Sequence, residues 1–191
     1  MSALSENSII ISPIRVYDPE LLREIRNTIH KAFGYPVIIS SIIEDISFAY
    51  YPGRNQYNSS VILEKLAQSA PPEALKVIAV TRVDLFIPIL TYVYGEAQLG
   101  GRACIVSTHR LADDSSIMLE EEKAWERVSK EAVHELGHTF NIRHCKDPMC
   151  IMHFCRSIRD VDRKSDRMCR YCRVLLDDEK KRLAENFPPA G

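Results

Sequence analysis

The stretch His134-Glu135-Leu136-Gly137-His138-Thr139-Phe140-Asn141-Ile142-Arg143-His144-Cys145 governs how the rest of the chain is read. On a helix advancing about 100° per residue, His134 and His138 fall one turn apart on one face. Both imidazoles then reach a single metal ion. Glu135, next to the first, reaches a water on that ion without ligating it. His144 follows His138 by six residues. On an unbroken helix it points about 280° round from His134, away from the ion. A break near Asn141 turns it back. Glycine is the usual residue at such a break because it takes positive φ without penalty, and asparagine is the next most tolerant. If the helix ran on instead, His144 would be left in solvent. Upstream, the same helix is expected from about Leu119 to Phe140, with Trp125, Ala132, Leu136 and Phe140 on the face opposite the histidines.

Three neutral imidazoles leave zinc its full charge and a fourth position open to water, whose pKa then falls to about 7. In that reading the zinc-bound water is the nucleophile. Glu135 is the general base that takes its proton and returns it to the leaving amine. The chemistry is peptide-bond hydrolysis.

The thiols follow at once. Cys145, Cys150 and Cys155 are evenly spaced, and Cys169-Arg170-Tyr171-Cys172 has the spacing of half a structural zinc site. Four thiolates close a zinc site and make it a staple rather than a catalyst. Cys145, Cys169 and Cys172 are the safer members by spacing. Cys150 and Cys155 compete for the fourth place, with His153 between them. Cys104 stands alone in an apolar run and reads as a small buried hydrophobe.

Together, His134-Glu135-x-x-His138-x-x-Asn141-x-x-His144-Cys145, Cys150-x-Met152 and Cys169-x-x-Cys172 resemble the archaemetzincin family of zinc metallopeptidases over residues 134–172. The resemblance implies a catalytic zinc on His134, His138 and His144, with Glu135 as base. It implies a second, structural zinc on Cys145, Cys150, Cys169 and Cys172, leaving Cys155 as the extra thiol, and a turn at Met152 beneath the catalytic zinc. Asn141 stands where the family has glycine, and the spacer from Met152 to Cys169 is about one residue short. The implied fold is metzincin-like and α/β (α+β): a twisted mixed sheet, an active-site helix below it and a smaller C-terminal part stapled by the four cysteines. An edge strand above the cleft is expected to pair with substrate. Gly100 to Val106 is the candidate, although it also reads as an ordinary sheet strand. Small peptides, or an aminopeptidase-like preference, are implied as substrates.

The remaining sequence agrees with one peptidase unit over residues 1–191, with a sheet and active-site helix in 1–144 and the zinc-stapled part in 145–191. Ser8 to Val16 reads as a strand. Asp18-Pro19 starts a helix that Gly34 ends. Pro36 to Ser40 reads as a second strand, and a helix opens at Ser59-Ser60 and stops at Pro71-Pro72. Strands follow at Lys76 to Val83 and Arg102 to Ser107, with Phe86 to Tyr94 strand or loop around Pro88. Ala112 to Ser116 reads as a loop. The 191 residues carry a net charge of −1 and are 46% hydrophobic, an ordinary globular balance. The small net charge conceals +5 in residues 143–173, where 9 basic side chains face 4 acidic ones. Cations around a four-thiolate zinc, itself formally −2, are the preferred account of that excess, with a nucleic-acid surface or a patch that attracts acidic peptides as the alternatives. The acids of Asp177-Asp178-Glu179 are expected to begin a closing helix, with Lys180-Lys181-Arg182 later in it. No apolar run is long enough to span a bilayer, and the N-terminus lacks a basic-then-apolar leader. A cytoplasmic, reducing setting is therefore expected, with a peptide or protein substrate, no membrane partner and no nucleic-acid partner. The rival is a catalytically idle zinc module whose basic four-cysteine surface binds nucleic acid or protein, but such a module has little use for Glu135.

Overall fold

The computed structural model describes residues 7–16, 18–111 and 118–186. The expected loop at Ala112 to Ser116 lies outside them. The chain runs β1 (Ser8–Ile14), α1 (Pro19–Phe33), β2 (Val37–Ile39), a short 3-10 turn (Ser47–Ala49), β3 (Tyr50–Tyr51), β4 (Gln56–Asn58) and α2 (Ser59–Ser69). It continues with β5 (Ala74–Thr81), β6 (Leu85–Phe86), β7 (Gly95–Ala97), β8 (Ala103–Ser107), α3 (Met118–Thr139), α4 (Ile158–Arg163) and α5 (Arg170–Asn186).

The main sheet has the order β2-β1-β5-β8-β7. Its first four strands are parallel, and β7 runs antiparallel to β8. The expected mixed α/β sheet is thus present. Its central strands are near-continuous apolar runs because both faces are covered. Alternate residues feed different layers. Ile9, Ile11, Ile78, Val80, Cys104 and Val106 pack with α1 and α3. Ile10, Ile14, Val77, Ala79, Ala103 and Ile105 pack with α2. A second sheet, β3-β4-β6, lies apart from the first.

The punctuation residues act as their chemistry requires. The Asp18 carboxylate accepts from the amides of Glu20 and Leu21, and Gly34 closes α1 at φ 76°. Asn58 caps α2, which ends at an extended Ala70 ahead of Pro71. Pro88 limits the segment Phe86 to Tyr94. Only Leu85–Phe86 pairs as a strand, and the chain then turns, the Leu90 amide donating to the Ile87 carbonyl at 3.0 Å.

Two expectations are corrected. The segment Gly100 to Val106 is not the sheet edge. Its strand, β8, is paired on both sides, with β5 and with β7, and the edge belongs to Gly95–Ala97. The closing helix also starts earlier than its acids suggest, at Arg170. Asp177 to Glu179 sit mid-helix, where Glu179 pairs with Arg182.

The chain after α3 folds back under the sheet. Val161, Cys172, Leu176 and Leu183 join the same apolar cluster as β1, α1 and α3. Arg127 of α3 grips Asp162 of α4 through two bonds, at 2.7 and 2.9 Å. No helix among the described residues is long and apolar enough to cross a membrane.

Candidate active site

Helix α3 stops where the break is needed. Asn141 adopts φ 60°. Its amide donates to the His138 carbonyl at 2.9 Å, and the Ile142 amide donates to the Gly137 carbonyl at 3.1 Å. These two bonds make a Schellman cap with asparagine in the left-handed position. Lys76, almost fully buried in β5, completes the end. Its Nζ donates to the carbonyls of Thr139 and Gly101, both at 2.7 Å. A cation at these last carbonyls also meets the negative end of the helix dipole. Burial brings the Lys76 pKa down to about 8.

The reversal brings His144 back to its partners. One ring nitrogen from each of His134, His138 and His144 falls within 4.8 Å of the others. The ring centroids of His134 and His138 are both close to that of His144, at 5.3 and 4.7 Å. The outer nitrogens are held: Nδ1 of His134 lies 2.9 Å from the Ile151 carbonyl oxygen and Nδ1 of His138 lies 2.7 Å from that of Ile142. Each Nδ1 must carry the proton to donate there, which leaves each Nε2 lone pair facing inward. Burial pushes all three imidazole pKa values down, that of His138 to about 4. They are therefore neutral at neutral pH, the form a metal requires.

Glu135 is buried beside this cluster, and burial raises its carboxyl pKa well above the ordinary value, with Glu131 adding to the rise. Met152 is fully buried under the helix. A Cβ on Gly137 would lie 2.5 Å from the Met152 sulfur, so the thioether packs directly against the turn between the two histidines.

The thiols separate cleanly. Cys145, Cys150, Cys169 and Cys172 bring their sulfurs within 4.8 Å of one another. Cys145 Sγ lies 3.7 Å from Cys169 Sγ, and the Cys169 amide donates to Cys150 Sγ at 3.3 Å. Cys155 is outside the cluster and lines the histidine cavity instead. His153 is outside too, its Nδ1 lying 2.9 Å from the Cys145 carbonyl oxygen. Cys104 is fully buried in β8.

The cavity has a volume of about 860 Å³. Its floor is His134, Glu135 and His138, and the edge strand β7 forms one wall. The segment around Pro88 contributes Leu90 and Tyr94.

Three contributors carried no recognisable sequence signal. Glu131, one turn before Glu135, forms a fully buried ion pair with Lys164 at 2.6 Å. Lys76 holds the helix end. Gly95 faces Glu135 across the cleft, and a Cβ there would lie 2.6 Å from both Glu135 Cγ and the Ile105 carbonyl oxygen. Gly95→Ala must therefore displace either the Glu135 side chain or the edge strand. Overpacking of this kind costs about 1–3 kcal/mol, and a displacement of about 1 Å lowers turnover about a hundredfold. Turnover and metal content measured on one preparation check this. Wild-type turnover would show that the strand yields without moving Glu135.

A His-Glu-x-x-His helix, a third histidine after a left-handed turn and a supporting methionine on a mixed sheet define a zinc metallopeptidase. The chain matches the sequence profile of peptidase family M54 over residues 24–178. It is 34% identical over 171 residues to an archaemetzincin of Methanocaldococcus jannaschii, covering 89% of this chain and 93% of that one. It superposes on the crystal structure of the Methanopyrus kandleri archaemetzincin with a TM-score of 0.79 at 31% identity, covering 92% and 96% of the two chains. It superposes on a zinc-dependent peptidase of Methanocorpusculum labreanum with a TM-score of 0.80 at 27% identity, covering 88% and 99%. The chain belongs to peptidase family M54, the archaemetzincins.

Proposed function

We propose that this zinc metallopeptidase hydrolyses short peptides with Glu135 as general base. His134, His138 and His144 hold one zinc, and Cys145, Cys150, Cys169 and Cys172 hold a second. The observation that carries the reading is the convergence of three imidazoles within 4.8 Å on the floor of a cavity that Glu135 also lines. Zinc bound there supplies a Lewis acid that polarises a carbonyl and acidifies water.

The chain's own groups do the rest. The Ile151 and Ile142 carbonyls fix the tautomer and orientation of His134 and His138. Glu135 takes a proton from the attacking water and delivers it to the leaving amine nitrogen. The free edge of β7 offers main-chain groups to an extended peptide, giving affinity independent of side chains. A cavity of about 860 Å³ suits a short peptide, and the aminopeptidase-like preference rests on the family resemblance. The whole of residues 1–191 acts as one unit in this proposal. The six cysteines are free thiols, and a cytoplasmic setting would keep the four grouped ones available to metal.

Metal analysis joined to a peptide-library digest tests the proposal. Two zincs per chain are expected, with cleavage that a zinc chelator abolishes and zinc restores. A single zinc bound only through cysteines, or cleavage indifferent to chelation, would overturn it.

A further inference from the structure

The catalytic cavity has acidic and basic lining groups, and they differ in how they are engaged. Of the acids, Glu131 is committed to Lys164. Glu96 accepts from both hydroxyls at the start of α2, from Ser60 Oγ at 2.8 Å and from Ser59 Oγ. Glu135 is the proposed base. The bases are Arg143 and Arg156. Both are exposed, and neither guanidinium has an ion-pair or hydrogen-bond partner among the described residues.

They also come from one stretch of chain. Arg143 immediately precedes His144. The Phe154 ring lies 5.1 Å from the His144 ring, and Arg156 follows Phe154 by two residues. Both cations therefore come from the chain beyond α3, and both line the cavity that β7 also lines. The lining also includes Phe154, Leu90 and Leu99, which are exposed and apolar.

We infer that Arg143 and Arg156 form a carboxylate-selecting wall, so that the peptides preferred carry a negative charge close to the scissile bond. This rests on the peptidase reading of the same cavity. A guanidinium meets a carboxylate through two parallel N–H bonds, which sets direction as well as attraction. Two unengaged guanidiniums lining the cavity make the field positive close to themselves. The matching carboxylate comes either from an Asp or Glu side chain or from the C-terminus of a short peptide.

Direct binding separates these sources and needs no turnover. Zinc-loaded Glu135→Gln protein is titrated calorimetrically with four peptides of one length. Two differ only as Asp against Asn next to the central bond, and two only as C-terminal acid against amide. The charged member of at least one pair should bind about fivefold tighter at low salt, the size expected for a partly exposed charge-assisted pair. The pair showing the difference identifies the source. Adding Arg143→Gln and Arg156→Gln should equalise the members, and raising the salt should narrow the gap. Arg159→Gln, on an exposed residue outside the cavity, should leave the preference intact.

Equal binding of charged and neutral peptides, or a preference that survives loss of both arginines, would overturn the inference while leaving the peptidase reading standing. Charge-selective binding by a protein that cleaves nothing in wild-type form would support the wall and defeat that reading.

Discussion

Replacing Glu135 by glutamine should lower kcat about a thousandfold, the middle of the range for a positioned general base, with zinc content unchanged. Glutamine keeps the volume and the planar end of the side chain but cannot accept and return a proton. The space allows little else: the side chain is buried, with Gly95 closing over its Cγ. Burial raises the carboxyl's own pKa, which strengthens it as a proton acceptor once ionised. KM should move little, because Glu135 contributes nothing to the main-chain pairing proposed between substrate and β7. Turnover that falls together with zinc content would mean that the helix had been damaged. Undiminished turnover with full zinc would remove Glu135 from the chemistry. Glu131→Gln makes the instructive comparison. That residue sits one turn away in a buried pair with Lys164, so its loss strands a buried cation and should appear first as lost stability.

The parts of this site that local backbone chemistry controls were legible in the sequence. Asn141 takes φ 60° because a short polar side chain tolerates the left-handed region, and the six-residue step to His144 demanded that reversal. Asp18, Gly34 and Pro71 mark their helix ends for equally local reasons. The edge strand was not legible. Gly95–Ala97 is three residues long, too short to show a period, and it is a strand only because β8 lies beside it. β8 is apolar throughout because it is interior, paired with β5 and β7, which is the ordinary-strand alternative for Gly100 to Val106. The choice between Cys150 and Cys155 was beyond spacing as well. It is decided by the turn in which the Cys145 amide donates to the Met152 carbonyl at 2.9 Å. That turn carries Cys150 inward and leaves Cys155 to face the catalytic cavity. Lys76, Glu131 and Lys164 gave no signal because their partners are distant in sequence and their burial is a tertiary fact.

Cys172→Ser should remove the zinc proposed for the four thiols and, with it, the order of the histidine cluster as well. The two clusters are joined through the backbone. Cys145 follows His144 directly, and Cys150 precedes Ile151, whose carbonyl orients His134, and Met152, which packs against Gly137. Burial raises the thiol pKa values of Cys150 and Cys172, so without a dication those two buried sulfurs favour the neutral thiol, and a neutral thiol has little to hold it in the group. A structural zinc contributes roughly 10 kcal/mol or more of apparent folding free energy at neutral pH, against a total of about 5–15 kcal/mol for a typical domain. Loss of that ion therefore suffices to unfold residues 145–186. The expected outcome is one zinc or none per chain, protease cleavage after α3 and loss of peptide turnover although the catalytic residues are untouched. Cys155→Ser should retain both zincs and the fold, because its sulfur is outside the cluster. If Cys172→Ser kept a folded C-terminal part and full turnover, the four thiols would be a packing feature and the staple would have to be sought in the apolar contacts of Val161, Leu176 and Leu183.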